Sequence, residues 1–167
     1  MSTDWTELYR TTFPDLVRFL HRKVWDPDRA RDLAQEAFVR ALATEPERPR
    51  AWLFAVAANL ARDEARTVLR RRRHLALLKS ETDGRQQPDP SAELMEQERM
   101  AAVRAALESL GERDREALLL WDGGLSYPEI AEELGLAVGA VGTTLARARR
   151  RLAEAYGKRE SDDVARG

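Results

Sequence analysis

The sequence contains no cysteine, only two histidines and no glycine-rich phosphate loop. Without cysteine there is no disulfide framework, no thiolate metal site and no cysteine nucleophile. His21 and His74 stand in no metal-ligand spacing. Asp32 and Glu36 lie one helical turn apart, but the Glu-x-x-His motifs of helical two-metal sites are missing. These absences predict a protein that is not an enzyme and uses no metal or cofactor.

Long apolar runs are missing as well. No stretch approaches the roughly twenty residues that a membrane-spanning helix needs, and the N-terminus lacks the basic and apolar regions of an export signal. We therefore expect a cytoplasmic protein without membrane insertion, in agreement with the absence of cysteine.

Glycine and aromatic residues are scarce, whereas Ala, Leu, Arg and Glu dominate the 167 residues. This composition favours helix over strand and predicts an all-α fold. The length suffices for one ordinary domain or for two small ones joined by a linker.

Charge is segregated along the chain although the net charge is only −1. Residues 62–73 hold six Arg against two acids, and residues 143–159 hold six basic residues against one acid. Between them, residues 79–98 carry six acids, two bases, Gly84, Pro88 and Pro90. The pattern predicts two cationic surfaces separated by an acidic linker.

Three helices are predicted before the linker. Asp4 and Glu7 resemble a capping box for the first helix, which Pro14 is expected to kink or restart. The Asp26-Pro27 pair predicts a second helix over residues 28–42, and the absence of Gly and Pro predicts a third over 50–73.

The second and third predicted helices each have an inward and an outward face at helical spacing. The inward stripe of the second helix comprises Ala30, Leu33, Ala34, Ala37, Phe38, Ala41 and Leu42, and that of the third comprises Trp52, Leu53, Val56, Ala57 and Leu60. Outward-facing residues are Asp32, Gln35, Glu36 and Val39 on the second helix, and Asn59, Arg62, Asp63, Arg66, Arg70 and Arg73 on the third. The second helix thus presents an acidic ridge and the third a basic face.

After the linker, the pattern predicts a helix that Ser91 caps, a short helix over 112–121 ended by Gly123 and Gly124, and two further helices. Ser126 and Glu129 form a capping box for the first of these two, and the last extends over 139–156.

Ala131, Gly135 and Val141 have the spacing of a helix-turn-helix, in which small, glycine and apolar residues mark the crossing, the turn and the anchor. A plain helical hairpin has a similar pattern, but it does not need the arginines at 147 and 149–151. A solvated basic face remains the simpler alternative to DNA binding, and it predicts no steep salt dependence.

At this point the sequence resembles the extracytoplasmic-function (ECF) sigma factors of bacterial RNA polymerase. Residues 28–42 (DRARDLAQEAFVRAL) resemble the family's polymerase-binding helix, and residues 50–63 (RAWLFAVAANLARD) resemble its promoter-reading helix. Residues 125–135 (LSYPEIAEELG) with 145–149 (LARAR) resemble its second helix-turn-helix domain. Three motifs in this order, separated by an acidic linker, are far more specific than any one of them.

The resemblance implies a region 2 domain over residues 1–78, an acidic linker over 79–98, a region 4 domain over 99–157 and a tail over 158–167, which we expect to be frayed. Implied polymerase-binding residues are Asp28, Asp32, Gln35, Glu36 and Val39. Implied contacts to the minus-ten element are Asn59, Arg62, Asp63, Arg66, Arg70 and Arg73. Implied contacts to the minus-thirty-five element are Ser126, Tyr127, Thr143, Thr144, Arg147, Arg149 and Arg150.

The implied partners are core RNA polymerase, through its beta-prime clamp helices and beta flap, promoter DNA and an anti-sigma protein. The free protein is expected to be a monomer. Two other functions stay open: a sigma-like decoy that sequesters an anti-sigma protein, and a stand-alone helix-turn-helix regulator. We also hypothesise that the acidic linker shields the basic faces before polymerase binds.

Two departures from the family pattern affect DNA reading. The loop over 44–49 implied to receive an unstacked base contains no aromatic residue. In the recognition helix, Ala137, Ala140, Gly142 and Thr144 occupy positions where the family often has Ser, Thr, Lys or Arg. Weak binding or recognition of DNA shape is therefore expected at the minus-thirty-five element.

Overall fold

A computed structural model describes residues 2–78 and 91–166, and all regular structure in these ranges is helical. The helices are α1 (Trp5–Val24), α2 (Pro27–Thr44), α3 (Pro49–Leu78), α4 (Ser91–Glu108), α5 (Glu112–Asp122), α6 (Tyr127–Leu134) and α7 (Val138–Arg166). The predicted all-α fold is confirmed. The predicted linker falls largely on residues 79–90, which lie outside the described residues, as does the side chain of Ser91.

The described helices belong to two compact units. The first contains α1, α2 and α3 together with residues Leu119–Glu129. The second contains α4, the chain up to Leu118 and the chain from Ile130 through α7. The bounds of the four segments given above stay predictions.

In the first unit, α1, α2 and α3 pack on one another pairwise. Asp4 caps α1 by accepting from the Glu7 amide, and Asp26 caps α2 by accepting from the amides of Asp28 and Arg29. Alanines and large apolar side chains alternate in the core, in which Leu16, Leu20, Leu53 and Phe54 are fully buried. The caps fix where α1 and α2 begin, and the core fixes which faces point outward.

Two predictions for this unit need correction. First, α1 is continuous across Pro14, so the proline does not restart the helix. Second, Leu42 lies on the surface with 52% exposure, although the periodic stripe placed it inward. It lies in the last turn of α2, at the edge of the buried stripe, which ends at Ala41.

In the second unit, α4 packs against α7, and Ala106, Leu107, Val141, Leu145 and Ala148 are buried. The last helix does not end at Tyr156 as predicted but continues to Arg166. No proline follows Tyr156, and the Arg159 guanidinium donates to the carbonyl of Ala101 on α4 at 3.4 Å. This contact ties the extended end of α7 to α4, where a frayed tail was expected.

None of the described helices combines the length and the apolar character that crossing a membrane requires.

Candidate functional site

The outward face of α2 carries the predicted acidic ridge. All its members are exposed in the structure: Asp28, Asp32, Gln35, Glu36 and Val39. Asp32 lies 3.4 Å from the Arg29 guanidinium, and Glu36 lies 2.6 Å from that of Arg40. These pairs are solvent-exposed and therefore weak, so a basic partner can compete for the carboxylates.

An apolar groove of about 260 Å³ lies beside this ridge. Its walls come from α1 and α2: Trp5, Tyr9, Gln35, Phe38, Val39 and Leu42. Tyr9 stacks on Phe13 and meets Phe38 edge-on, at centroid distances of 4.6 and 5.0 Å. Sequence patterning missed Trp5 and Tyr9 because the groove forms only when two helices meet. The surface of α2 thus offers acidic and apolar contacts side by side.

The outward face of α3 carries the predicted basic residues. Its predicted members are all exposed: Asn59, Arg62, Asp63, Arg66, Arg70 and Arg73. The Asn59 side-chain oxygen accepts from Arg62 at 3.0 Å, and Asp63 lies 4.0 Å from Arg66. The Asn59 amide therefore orients one arginine on a surface that can bind phosphate.

A paired carboxylate joins α3 to α2 and was not anticipated. Glu64 accepts from Nε and Nη2 of Arg29, both at 2.8 Å. Hydrogen bonding to Arg29 lowers the pKa of Glu64, and the same bond raises the pKa of Arg29. The pair fixes the acidic ridge relative to the basic face, since each partner belongs to one of the two helices.

The predicted helix-turn-helix elements are present at α6 and α7. Ser126 Oγ accepts from the Glu129 amide at 3.3 Å, and the Glu129 carboxylate accepts from the Ser126 amide at 2.9 Å, so the capping box is complete. Gly135 takes a left-handed φ of 64°, and Ala131 and Val141 are buried. A side chain at Gly135 would be strained by this backbone conformation. The turn residues therefore occupy the positions that their spacing predicted.

The residues predicted to contact the minus-thirty-five element differ in accessibility. Thr143, Arg149 and Arg150 are exposed on α7, and Ser126 and Tyr127 are exposed at the start of α6. Thr144 is only 5% exposed, and its hydroxyl donates to the Ala140 carbonyl at 2.8 Å. Thr144 is therefore a helix-interior residue and is removed from the predicted DNA contacts.

Arg147 is held by a buried carboxylate on α5. Asp114, 4% exposed, accepts from Arg147 at 2.7 and 3.1 Å and from Arg151 at 3.0 Å. The hydrogen bond from Arg147 lowers the pKa of Asp114 and raises that of Arg147. Two of the Arg147 donors are thus directed at α5, which leaves less of its guanidinium for DNA than the sequence predicted.

Comparison with protein families gives two matches in chain order. The family model described as Sigma-70 region 2 matches residues 8–73, which contain the acidic ridge and the basic face. The model described as Sigma-70, region 4 matches residues 100–152, which contain the helix-turn-helix.

Curated proteins with similar sequences include two ECF sigma factors. The ECF RNA polymerase sigma factor SigE of Mycolicibacterium smegmatis is 32% identical over 95% of this chain, which spans 63% of that relative's length. The ECF RNA polymerase sigma factor EcfG of Rhodopseudomonas palustris is 36% identical, with 83% of this chain and 77% of the relative covered.

Solved structures that are similar to the chain include two sigma factors bound to partner proteins. One is the sigma factor RpoE in complex with the anti-sigma factor NepR from Bartonella quintana, at a TM-score of 0.63 and 26% identity, covering 91% of this chain and 96% of RpoE. The other is CnrH in complex with the cytosolic domain of CnrY, at a TM-score of 0.64 and 26% identity, covering 90% and 85%.

Proposed function

The chain belongs to the extracytoplasmic-function sigma factors, and from this membership we propose that it binds core RNA polymerase and directs promoter-specific initiation of transcription. The observation that carries the proposal is the presence, on one α2–α3 scaffold, of an acidic ridge and a separate basic face. A helix-turn-helix follows in the second unit. The chain acts by binding and carries out no reaction of its own.

Polymerase binding is assigned to the ridge of α2. Asp28, Asp32 and Glu36 provide charge for the beta-prime clamp helices, while Gln35 and Val39 continue into the apolar groove. A partner helix with basic and apolar residues fits such a surface, because charge guides the encounter and apolar burial supplies affinity. A second contact, from the region 4 domain to the beta flap, follows from family membership.

Reading of the minus-ten element is assigned to α3. Asn59 offers a donor and an acceptor to a base edge, and Arg62, Arg66, Arg70 and Arg73 supply charge for phosphates of the opened strand. Asp63 lies 4.0 Å from Arg66 on the same face. The helix-turn-helix, with Thr143, Arg149 and Arg150 exposed on α7 and Ser126 and Tyr127 at the start of α6, is assigned to the upstream duplex.

An anti-sigma protein is proposed as a further partner. The RpoE structure is a complex with the anti-sigma factor NepR, and this chain is similar to RpoE over nearly its whole length. We place the protein in the cytoplasm, where polymerase and DNA are found, and expect it to be monomeric until a partner binds.

Run-off transcription tests the proposal. Purified chain and core polymerase are mixed with genomic DNA fragments, and the 5′ ends of the transcripts are mapped. A sigma factor converts core polymerase into an enzyme that starts at defined sites, and this is the expected result. A decoy binds an anti-sigma protein but yields no specific starts. A stand-alone regulator shifts duplex DNA without polymerase, so either result would overturn the proposal.

A further inference from the structure

The exposed stripe of α7 that is assigned to DNA carries few hydrogen-bonding side chains. The residues that cover the second unit's core from α7 are Val141, Leu145 and Ala148. At 100° per residue, the opposite side of the helix carries Gly139, Thr143, Ala146 and Arg150, all of which are exposed. Before Arg150, the only hydrogen-bonding side chain on this stripe is the Thr143 hydroxyl.

Side chains that read bases through paired hydrogen bonds are missing from the start of α7. Guanine is read by Arg or Lys, adenine by Asn or Gln, and cytosine by Glu or Asp. Residues 137–146 contain none of these six residue types. The nearest candidate, Arg147, is directed at Asp114 on α5, and Thr144 is buried with its hydroxyl on Ala140.

The same stripe exposes methyl groups, and its surface at Gly139 is open. Thr143 carries one methyl beside its hydroxyl, and Ala146, one turn further on, carries another. Outside its own stretch of helix, an added Cβ at Gly139 would meet no atom of the described residues within 4 Å, so the surface there is open and the helix backbone can approach a duplex closely. Methyl-bearing Ala and Thr are the side chains that contact the C5-methyl of thymine in the major groove.

We propose that α7 recognises the upstream promoter element by apolar contact of Thr143 and Ala146 with thymine methyl groups, and not by hydrogen bonds to guanine or adenine. The proposal rests on the sigma factor function above and specifies its DNA substrate. Phosphate contacts by Arg150 then supply affinity without sequence preference. The upstream element is therefore expected to contain thymine. The preference at each position is small, because one buried methyl group changes the binding affinity about fourfold.

The test uses polymerase holoenzyme reconstituted with the full chain. A duplex library randomised across the upstream element is selected for binding, and each thymine of the selected element is then replaced by deoxyuridine, which lacks only the methyl. We expect thymine to be enriched and affinity to fall about fourfold per contacted position. Deoxyuridine in the spacer between the two promoter elements is the control and leaves affinity unchanged.

Two substitutions at one position separate the methyl from the hydroxyl. T143V keeps the methyl and removes the hydroxyl, whereas T143S keeps the hydroxyl and removes the methyl. The preference for thymine is expected to remain in T143V and to be lost at one position in T143S. At that position, replacing thymine with deoxyuridine should leave the affinity of T143S for the duplex unchanged. Such coupling between one protein methyl and one DNA methyl does not arise from misfolding.

A substitution that stabilises the helix gives an independent readout. G139A adds a methyl that clashes with no described atom of the protein and replaces a residue that weakens helices. We expect its melting temperature to be equal or higher while upstream-element binding falls severalfold, because the added group blocks the approach of the duplex.

An element whose thymines can all be replaced by deoxyuridine without loss of affinity would overturn the methyl contacts while leaving the sigma function intact. If the reconstituted enzyme selects no sequence and starts at no defined site, the sigma function and the methyl contacts both fail.

Discussion

The Asp114 carboxylate on α5 receives two hydrogen bonds from the Arg147 guanidinium on α7, at 2.7 and 3.1 Å, although 33 residues separate the two in sequence. Arg151, one turn further along α7, adds a third at 3.0 Å. This cluster fixes the rotation of α7 about its axis. The stripe containing Thr143 and Ala146 therefore stays on the outer side of the second unit.

Replacing Asp114 with Asn is expected to lower the stability of the second unit at neutral pH, because both arginines lose a charged acceptor in a buried position. The pKa of Asp114 is lowered in the folded state, so its contribution is complete above the ordinary carboxyl pKa. It is lost as the pH falls through the lowered folded-state value. The difference in unfolding free energy between wild type and D114N should thus shrink in acid.

Chemical denaturation at pH 7 and at successively lower pH measures this difference. The matched control is Glu112→Gln, which changes an exposed acid in the first turn of the same helix. If the difference in unfolding free energy between wild type and D114N does not depend on pH, the carboxylate is not the stabilising group.

Replacing Glu64 with Gln is expected to destabilise the first unit by about 1 kcal/mol, because the pair with Arg29 is two-pronged but partly exposed. Urea unfolding followed by circular dichroism provides the measurement. Glu7→Gln breaks a comparable pair with Arg10 that lies fully on the surface, and it should change stability much less. Equal effects of the two substitutions would show that the α2–α3 bridge adds nothing.

Reversing the ridge charges, with Asp32→Arg and Glu36→Arg together, is expected to weaken binding to core polymerase by about tenfold or more, since rim charges guide association and like charges repel. Fluorescence anisotropy of labelled chain titrated with core polymerase gives the dissociation constant. Glu96→Arg, an exposed reversal on α4, serves as the control. Unchanged affinity of the double variant would remove the ridge from the polymerase interface.

Replacing Arg150 with Ala is expected to weaken binding to all upstream sequences alike and to reduce the salt slope of the binding constant by about one, as for loss of one phosphate contact. Binding of reconstituted holoenzyme to promoter duplex is measured over a range of salt concentrations. Lys158→Ala, an exposed cation further along α7, controls for a general change in charge. Identical slopes for wild type and R150A would exclude the contact.

The sequence predicted those features of the structure that depend on residues close together in the chain. Asp26 with Pro27 and Ser126 with Glu129 cap their helices as expected, because capping depends on residues two or three positions apart. Glycine at 135 adopts the left-handed turn for the same reason.

The sequence pattern did not reveal contacts that depend on a partner distant in sequence. Arg147 was predicted to contact DNA, and its guanidinium binds Asp114. Thr144 lies three residues after Val141 and four before Ala148, so its helical spacing already indicated the buried side of α7. Glu64 sits among outward charges in sequence but pairs with α2. The helical periodicity of the sequence does not indicate which residues of different helices will meet. For the same reason it did not predict the groove that Trp5 and Tyr9 line.

The buried side of α2 consists largely of small side chains, and its exposed side carries the ridge. The fully buried alanines are Ala30, Ala34, Ala37 and Ala41. Helices that meet through alanine approach closely, so any larger residue on this side must force them apart. Solvent-facing positions such as Asp32 and Val39 carry no such constraint. If the ridge binds polymerase as proposed, exchanging these surface residues one at a time changes the affinity while the helix beneath keeps its position.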